Sequence, residues 1–224
     1  MRTRLTVLAG LSAAALAAPL ALAAPAPQVT DPAGDATFTA TAQSGAPGIP
    51  GANQAYADVL SIAWAPTTKV VKKKSTVTGF TVTAVLSAPP TPPSGTSLVF
   101  RMLGQVNGDT AKTLGVVLYT AKPSDPAQPQ SALRDTLSGV TRLTAIDLPK
   151  IDGSTITWTV PASAFPKELT LPATLANLYF EVREIEDFRG QKTPDQTPQG
   201  LGGASGLAAG VVDDGKTTAS FVVG

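Results

Sequence analysis

From residue 58 onward, apolar and polar positions alternate along most of the chain. Phe80, Val82, Ala84 and Leu86 fall on one side of an extended segment and Thr81, Thr83 and Ser87 on the other. Leu98, Phe100 and Met102 repeat this pattern, as do Ile156, Trp158 and Val160 against Thr155, Thr157 and Thr159. No window keeps apolar residues at helical spacing for three turns. Strands are therefore predicted from Asp58, Gly79, Ser97, Thr113, Thr141, Thr155, Leu175 and Thr217. Asn107-Gly108-Asp109 and Asp152-Gly153 read as hairpin turns, and Asp213-Asp214-Gly215 as a last turn. Thr141 to Ile151 is expected to pair with Thr155 to Val160. Pro161 to Phe165 reads as one helical turn.

About eight short strands separated by turn residues predict an all-β fold, a two-sheet antiparallel β-sandwich of jelly-roll or immunoglobulin-like type. Pro89 to Pro93 reads as a stiff linker, Lys122 to Gln130 as a polar loop and 190–210 as a mobile loop. Residues 24–224 are expected to form a single domain, and the absence of a repeat of fixed period speaks against a propeller or solenoid.

The first 23 residues have a different pattern. Arg2 and Arg4 precede an Ala- and Leu-rich run from Leu5 to Leu22, and Ala21-Leu22-Ala23 supplies small residues at a cleavage position. This predicts a signal peptide removed after Ala23, a secreted, extracellular protein and no membrane span after cleavage. About 200 remaining residues are enough to build an apolar core.

Composition then narrows the chemistry. The chain has 224 residues with no His and no Cys. That leaves no disulfide, no thiolate or imidazole catalysis and no soft metal site. No His or Cys is present as a haem ligand, so no haem is expected. A bound metal has to be held by oxygen. Lys and Arg number 17 against 16 Asp and Glu, with no basic stripe, so no nucleic-acid partner is expected. The run Lys72-Lys73-Lys74 lies between two strand-like segments and reads as a solvated hairpin tip.

The acidic residues carry the remaining chemistry. Asp31 and Asp35 flank a Pro-Ala-Gly turn, where Pro32 fixes φ and Gly34 permits a left-handed bend. Both carboxylates can then face one centre, and Asp58 at the start of a strand adds a third. Two readings stay open: an oxygen-ligand metal site suited to calcium, or Asx-turns in which each Asp caps nearby amides. Glu184 falls on the apolar side of its strand, where a lone carboxylate is costly. It is expected at the sandwich end, paired with Arg101, Arg183 or Arg189, or as a further ligand of the same metal.

The stretches Val29-Thr30-Asp31-Pro32-Ala33-Gly34-Asp35 and Ala57-Asp58-Val59-Leu60-Ser61-Ile62, with Val160-Pro161-Ala162-Ser163-Ala164-Phe165 later, resemble secreted bacterial β-sandwich proteins. These are similar to carbohydrate-binding family 9-like and DOMON-like domains. The resemblance implies a β-sandwich over most of the chain and a structural calcium ion at the matching aspartates. The function expected is a non-catalytic exported binding or structural protein with an extracellular partner. A carbohydrate-binding module with a glycan ligand, and a glycoside hydrolase using paired carboxylates, are the alternatives. Trp64 and Trp158 share faces with apolar neighbours and are expected in the core.

Overall fold

The computed structural model describes residues 25–40, 49–91, 96–120, 130–187 and 207–224. The expected signal peptide, the loop 122–129, Pro92 and Pro93 of the linker, and 190–206 lie outside the described residues.

Fourteen strands occur among the described residues: β1 (Val29–Thr30), β2 (Thr37–Ala40), β3 (Ile49–Asn53), β4 (Val59–Val71), β5 (Lys74–Leu86), β6 (Thr96–Val106), β7 (Thr113–Tyr119), β8 (Gln130–Asp135), β9 (Arg142–Ala145), β10 (Lys150–Asp152), β11 (Thr155–Pro161), β12 (Ala173–Asp187), β13 (Leu207–Lys216) and β14 (Ser220–Val223). One 3-10 turn, Ala162–Ala164, follows Pro161. The five-stranded sheet runs β1-β4-β5-β11-β10 and the seven-stranded sheet β13-β12-β6-β7-β8-β9, with β14 also paired to β12. β2 and β3 form a separate ribbon. All pairings are antiparallel, and the fold is the predicted β-sandwich.

The alternating residues meet between the sheets. Phe80, Val82, Ala84, Ile156, Trp158 and Val160 are fully buried from the five-stranded sheet, opposite Leu98, Phe100, Met102 and Val182 from the other. Aromatic contacts tie the layers together: the Trp64 ring lies 5.6 Å from Phe80 and 6.0 Å from Phe221 of β14. Fully burying side chains of this size contributes roughly 1.5–3 kcal/mol each. β7 is buried on both faces, which is why its Leu-Gly-Val-Val-Leu run does not alternate.

Three sequence expectations are corrected. The stretch 141–151 is not one strand. β9 pairs β8 in one sheet and β10 pairs β11 in the other, and the chain crosses between sheets over 146–149, where Pro149 cannot donate to a ladder. Asp213-Asp214-Gly215 is not a turn but lies inside β13, held there by pairing with Val182, Glu181 and Phe180 of β12. The expected loop 190–210 gives up 207–210 to the same strand. The low apolar bulk of β13 hid it, because an edge strand needs a partner backbone more than a hydrophobic face.

Candidate metal centre

The site is built where the edge strand β1 of one sheet meets the edge strand β13 of the other. The Asp31 amide donates to the Leu60 carbonyl at 3.0 Å, continuing the pairing of β1 with β4. The chain then turns through Pro32, Ala33 and Gly34, with Gly34 at φ +93°, and Asp35 follows. Only a residue without a Cβ adopts that φ cheaply. The turn brings Asp31 and Asp35 to the same side, as their spacing predicts.

One carboxylate oxygen each from Asp31, Asp35 and Asp213 lies within 4.8 Å of the others. Oxygens bound to calcium at 2.3–2.6 Å are at most about 4.6–5.2 Å apart across the ion, so this spacing suits a shared coordination sphere. Asp213 is 4% exposed, and its Oδ2 accepts the Val59 amide at 2.6 Å. Asp31 is half-buried and Asp35 exposed, so the cluster opens to solvent on one side.

Asp58 sits behind the turn, fully buried. Its Oδ2 accepts the Gly34 amide at 2.8 Å and the Ser87 hydroxyl at 2.7 Å, with Asn53 Nδ2 at 3.5 Å. These bonds lock the turn in place and account for one oxygen. The other, Oδ1, is buried with no hydrogen-bond partner, and so is Oδ2 of Asp31. A buried carboxylate oxygen without a partner is costly and calls for a cation or a proton. Asp58 thus caps the turn and leaves one oxygen without a hydrogen-bond partner.

The electrostatics agree. Burial, then the charges of Asp31, Asp35 and Asp58, push the Asp213 carboxyl up to about 7, against the lowering effect of the Val59 amide. Burial and the charges of Asp35, Asp58 and Asp214 also raise Asp31. Asp213, as a polar neighbour, offsets only part of that rise at Asp31. Both shifts favour a protonated acid, or a cation in place of the proton.

Gly215 closes the floor. A Cβ there would lie 2.4 Å from the Phe180 ring and 3.0 Å from Asp31 Oδ1. The next wall faces outward. Asp214 and Lys216, exposed, border a groove of about 460 Å³ with Gln105, Asn177, Thr217 and the half-buried Tyr179. A bulge between Ala176 and Tyr179, with Asn177 at φ +48°, turns the Asn177 side chain toward Gln105 at 2.7 Å.

Asp213 is the residue that sequence reasoning missed. Its signal was the acid pair beside Gly215, which the turn reading absorbed. Glu184 lies on β12 opposite Leu98 and Gly210, and its side chain is outside what is described. Arg101 and Arg183, expected as its partners, both bond Glu181, at 2.8 Å each. Trp64 and Trp158 are 2% and 0% exposed, so neither offers a sugar-stacking face. No helix among the described residues is long and apolar enough to cross a membrane. Comparison with protein-family models, curated proteins and solved structures returns no match, so the family resemblance rests on the short motifs alone.

Proposed function

We propose that the protein is a non-catalytic exported β-sandwich whose two sheets are clamped at one edge by a calcium ion. Asp31, Asp35 and Asp213 would hold the ion, and Asp58 would add its unpartnered oxygen or act from behind. The observation that carries this reading is the pair of buried carboxylate oxygens without partners, Asp31 Oδ2 within the cluster of converging acids and Asp58 Oδ1 behind it. Magnesium is disfavoured, because it prefers one or two carboxylates and keeps most of its waters. The ion would join β1, next to the N-terminal segment, to β13, near the other end of the chain. The expected secretion supports calcium further, since extracellular sites can work at 10⁻⁴–10⁻³ M affinity.

The same geometry counts against hydrolysis at this cluster. A glycosidase needs its two carboxyl groups about 5–9.5 Å apart across a sugar, and these oxygens are closer. Asp213 is also buried and tied to a backbone amide.

Calorimetric titration of the chelator-treated protein with calcium chloride tests the proposal. Saturable binding of one ion, lost in Asp213→Asn and Asp31→Asn but kept in the exposed control Asp152→Asn, is expected. No heat of binding at millimolar calcium would end it.

A second reading, a carbohydrate-binding module, is favoured by one observation. The groove combines the half-buried ring of Tyr179 with the amides of Gln105 and Asn177, the hydroxyls of Thr217 and Thr218, and Lys216. Such a lining suits a polyhydroxylated ligand. Glycan-array binding that is lost in Tyr179→Ala would favour it, and an empty array would remove it.

A further inference from the structure

We propose that the β4–β5 hairpin is a cationic arm that docks the protein onto an anionic lipid surface. The hairpin outruns its sheet. β11 ends with Pro161 opposite Gly79, and β1 pairs only with Ile62 and Ser61. Beyond that point Thr68, Lys69, Val70 and Val71 pair with Val77, Thr76, Ser75 and Lys74, with no strand on either side among the described residues. Four residue pairs at about 3.3 Å each extend the arm by about 13 Å.

The arm concentrates charge. Lys69, Lys72, Lys73 and Lys74 are all exposed, and none forms an ion pair among the described residues. No Asp or Glu occurs between Asp58 and Asp109, so nothing on β4, β5 or β6 neutralises them. The arm holds four of the 17 basic residues and none of the 16 acidic ones, and the rest of the chain is net acidic. A field this one-sided orients the molecule toward an anionic surface, tip first.

Two features separate this tip from an ordinary solvated turn. Lys72 and Lys73 form the two-residue turn at φ +49° and +66°. Turns of that kind favour Asn-Gly, because both central residues must take positive φ. Lysine occupies both positions against the preference of the backbone, which points to a role outside folding. Beside them, Val70 is 71% exposed, the most exposed large hydrophobic among the described residues. An apolar side chain amid lysines gains from the interface of a bilayer, whereas a soluble polyanion gives it nothing.

Vesicle co-sedimentation of the full chain tests the arm. The probes are phosphatidylcholine vesicles with and without about one-third phosphatidylglycerol. Comparing variants in the same chain cancels any contribution from the apolar residues 5–22. A lysine near an anionic membrane strengthens binding about five-fold, so K72Q/K73Q/K74Q should weaken partitioning onto anionic vesicles about 100-fold. V70S should weaken it several-fold, and high salt should release the protein. K72N/K73G supplies the residues the turn prefers. It should melt at or above the wild-type temperature yet bind about 25-fold more weakly, which separates lost binding from lost folding. Binding unchanged in the triple variant, or equal on neutral vesicles, would overturn the proposal. Tight binding to soluble polyphosphate with no effect of V70S would overturn it in favour of a polymer partner.

Discussion

The Asp213 carboxylate of β13 accepts the Val59 amide of β4 at 2.6 Å, across 154 positions of sequence. This bond joins the edge of the seven-stranded sheet to the first residue of the longest hairpin in the other sheet. It also fixes the Asp213 carboxylate beside Asp31 and Asp35, one oxygen of each lying within 4.8 Å of the others. A metal at this point would strengthen a junction that the backbone already makes.

Calcium is expected to raise the melting temperature of chelator-treated protein. Saturation to about 100 times the dissociation constant stabilises by about 2.7 kcal/mol. For a chain of this size that corresponds to roughly 5–10 °C. Differential scanning calorimetry with and without calcium checks this, and Asp213→Asn should abolish the shift.

The pH dependence of the metal-free protein follows from Asp213, whose carboxyl is pushed up to about 7. Between about pH 4 and 7 the folded state holds a proton that the unfolded chain has released. Stability must therefore fall as pH rises through that window. Calcium displaces the proton and should flatten the slope. Urea unfolding at pH 5 and pH 7, with and without calcium, measures both, and a metal-free protein more stable at pH 7 than at pH 5 would contradict the assignment.

Gly215→Ala places a methyl group 2.4 Å from the Phe180 ring and 3.0 Å from Asp31 Oδ1. Overpacking of this kind costs about 1–3 kcal/mol. Chemical denaturation should report the loss, and calcium affinity should drop with it because Asp31 is displaced. Gly153→Ala is the complementary case: nothing lies within 4 Å, but its φ of +57° makes the cost one of backbone strain alone.

Glu181 joins Arg101 and Arg183 on the outer face of the seven-stranded sheet. Burial pushes its carboxyl up, but the two guanidinium groups more than offset this and hold it below the usual carboxylate value. Its contribution is present above that usual value and is lost as pH falls through the depressed one. All three side chains are partly exposed, so Glu181→Gln should cost no more than about 1 kcal/mol. A denaturation midpoint that falls in the variant at pH 7 but matches wild type at pH 2.5 checks the sign.

Much of the fold was legible because strand burial is written in period two. Phe80 to Leu86, Leu98 to Met102 and Ile156 to Val160 each had one apolar face, and each face is in the core. The Pro-Ala-Gly turn between Asp31 and Asp35 was legible too, since Pro and Gly restrict φ locally. The strands that lacked such a face were not. β1 has two residues, β9 and β10 are wholly exposed, and β13 reads as a turn by composition. These exist only because a neighbouring backbone offers its hydrogen bonds.

The sequence alone therefore determined a β-sandwich, a restriction to oxygen ligands for any metal from the missing His and Cys, and the local pairing of Asp31 with Asp35. Only the tertiary structure decided that Asp213 completes the cluster, that Asp58 stands behind it, and that four lysines lie on an arm beyond the sheet. Local backbone preference and alternation act over a few residues and can be read in order along the chain. The joining of residues 31 and 213 depends on which edges of the two sheets meet, and that is set by the packing of the whole core.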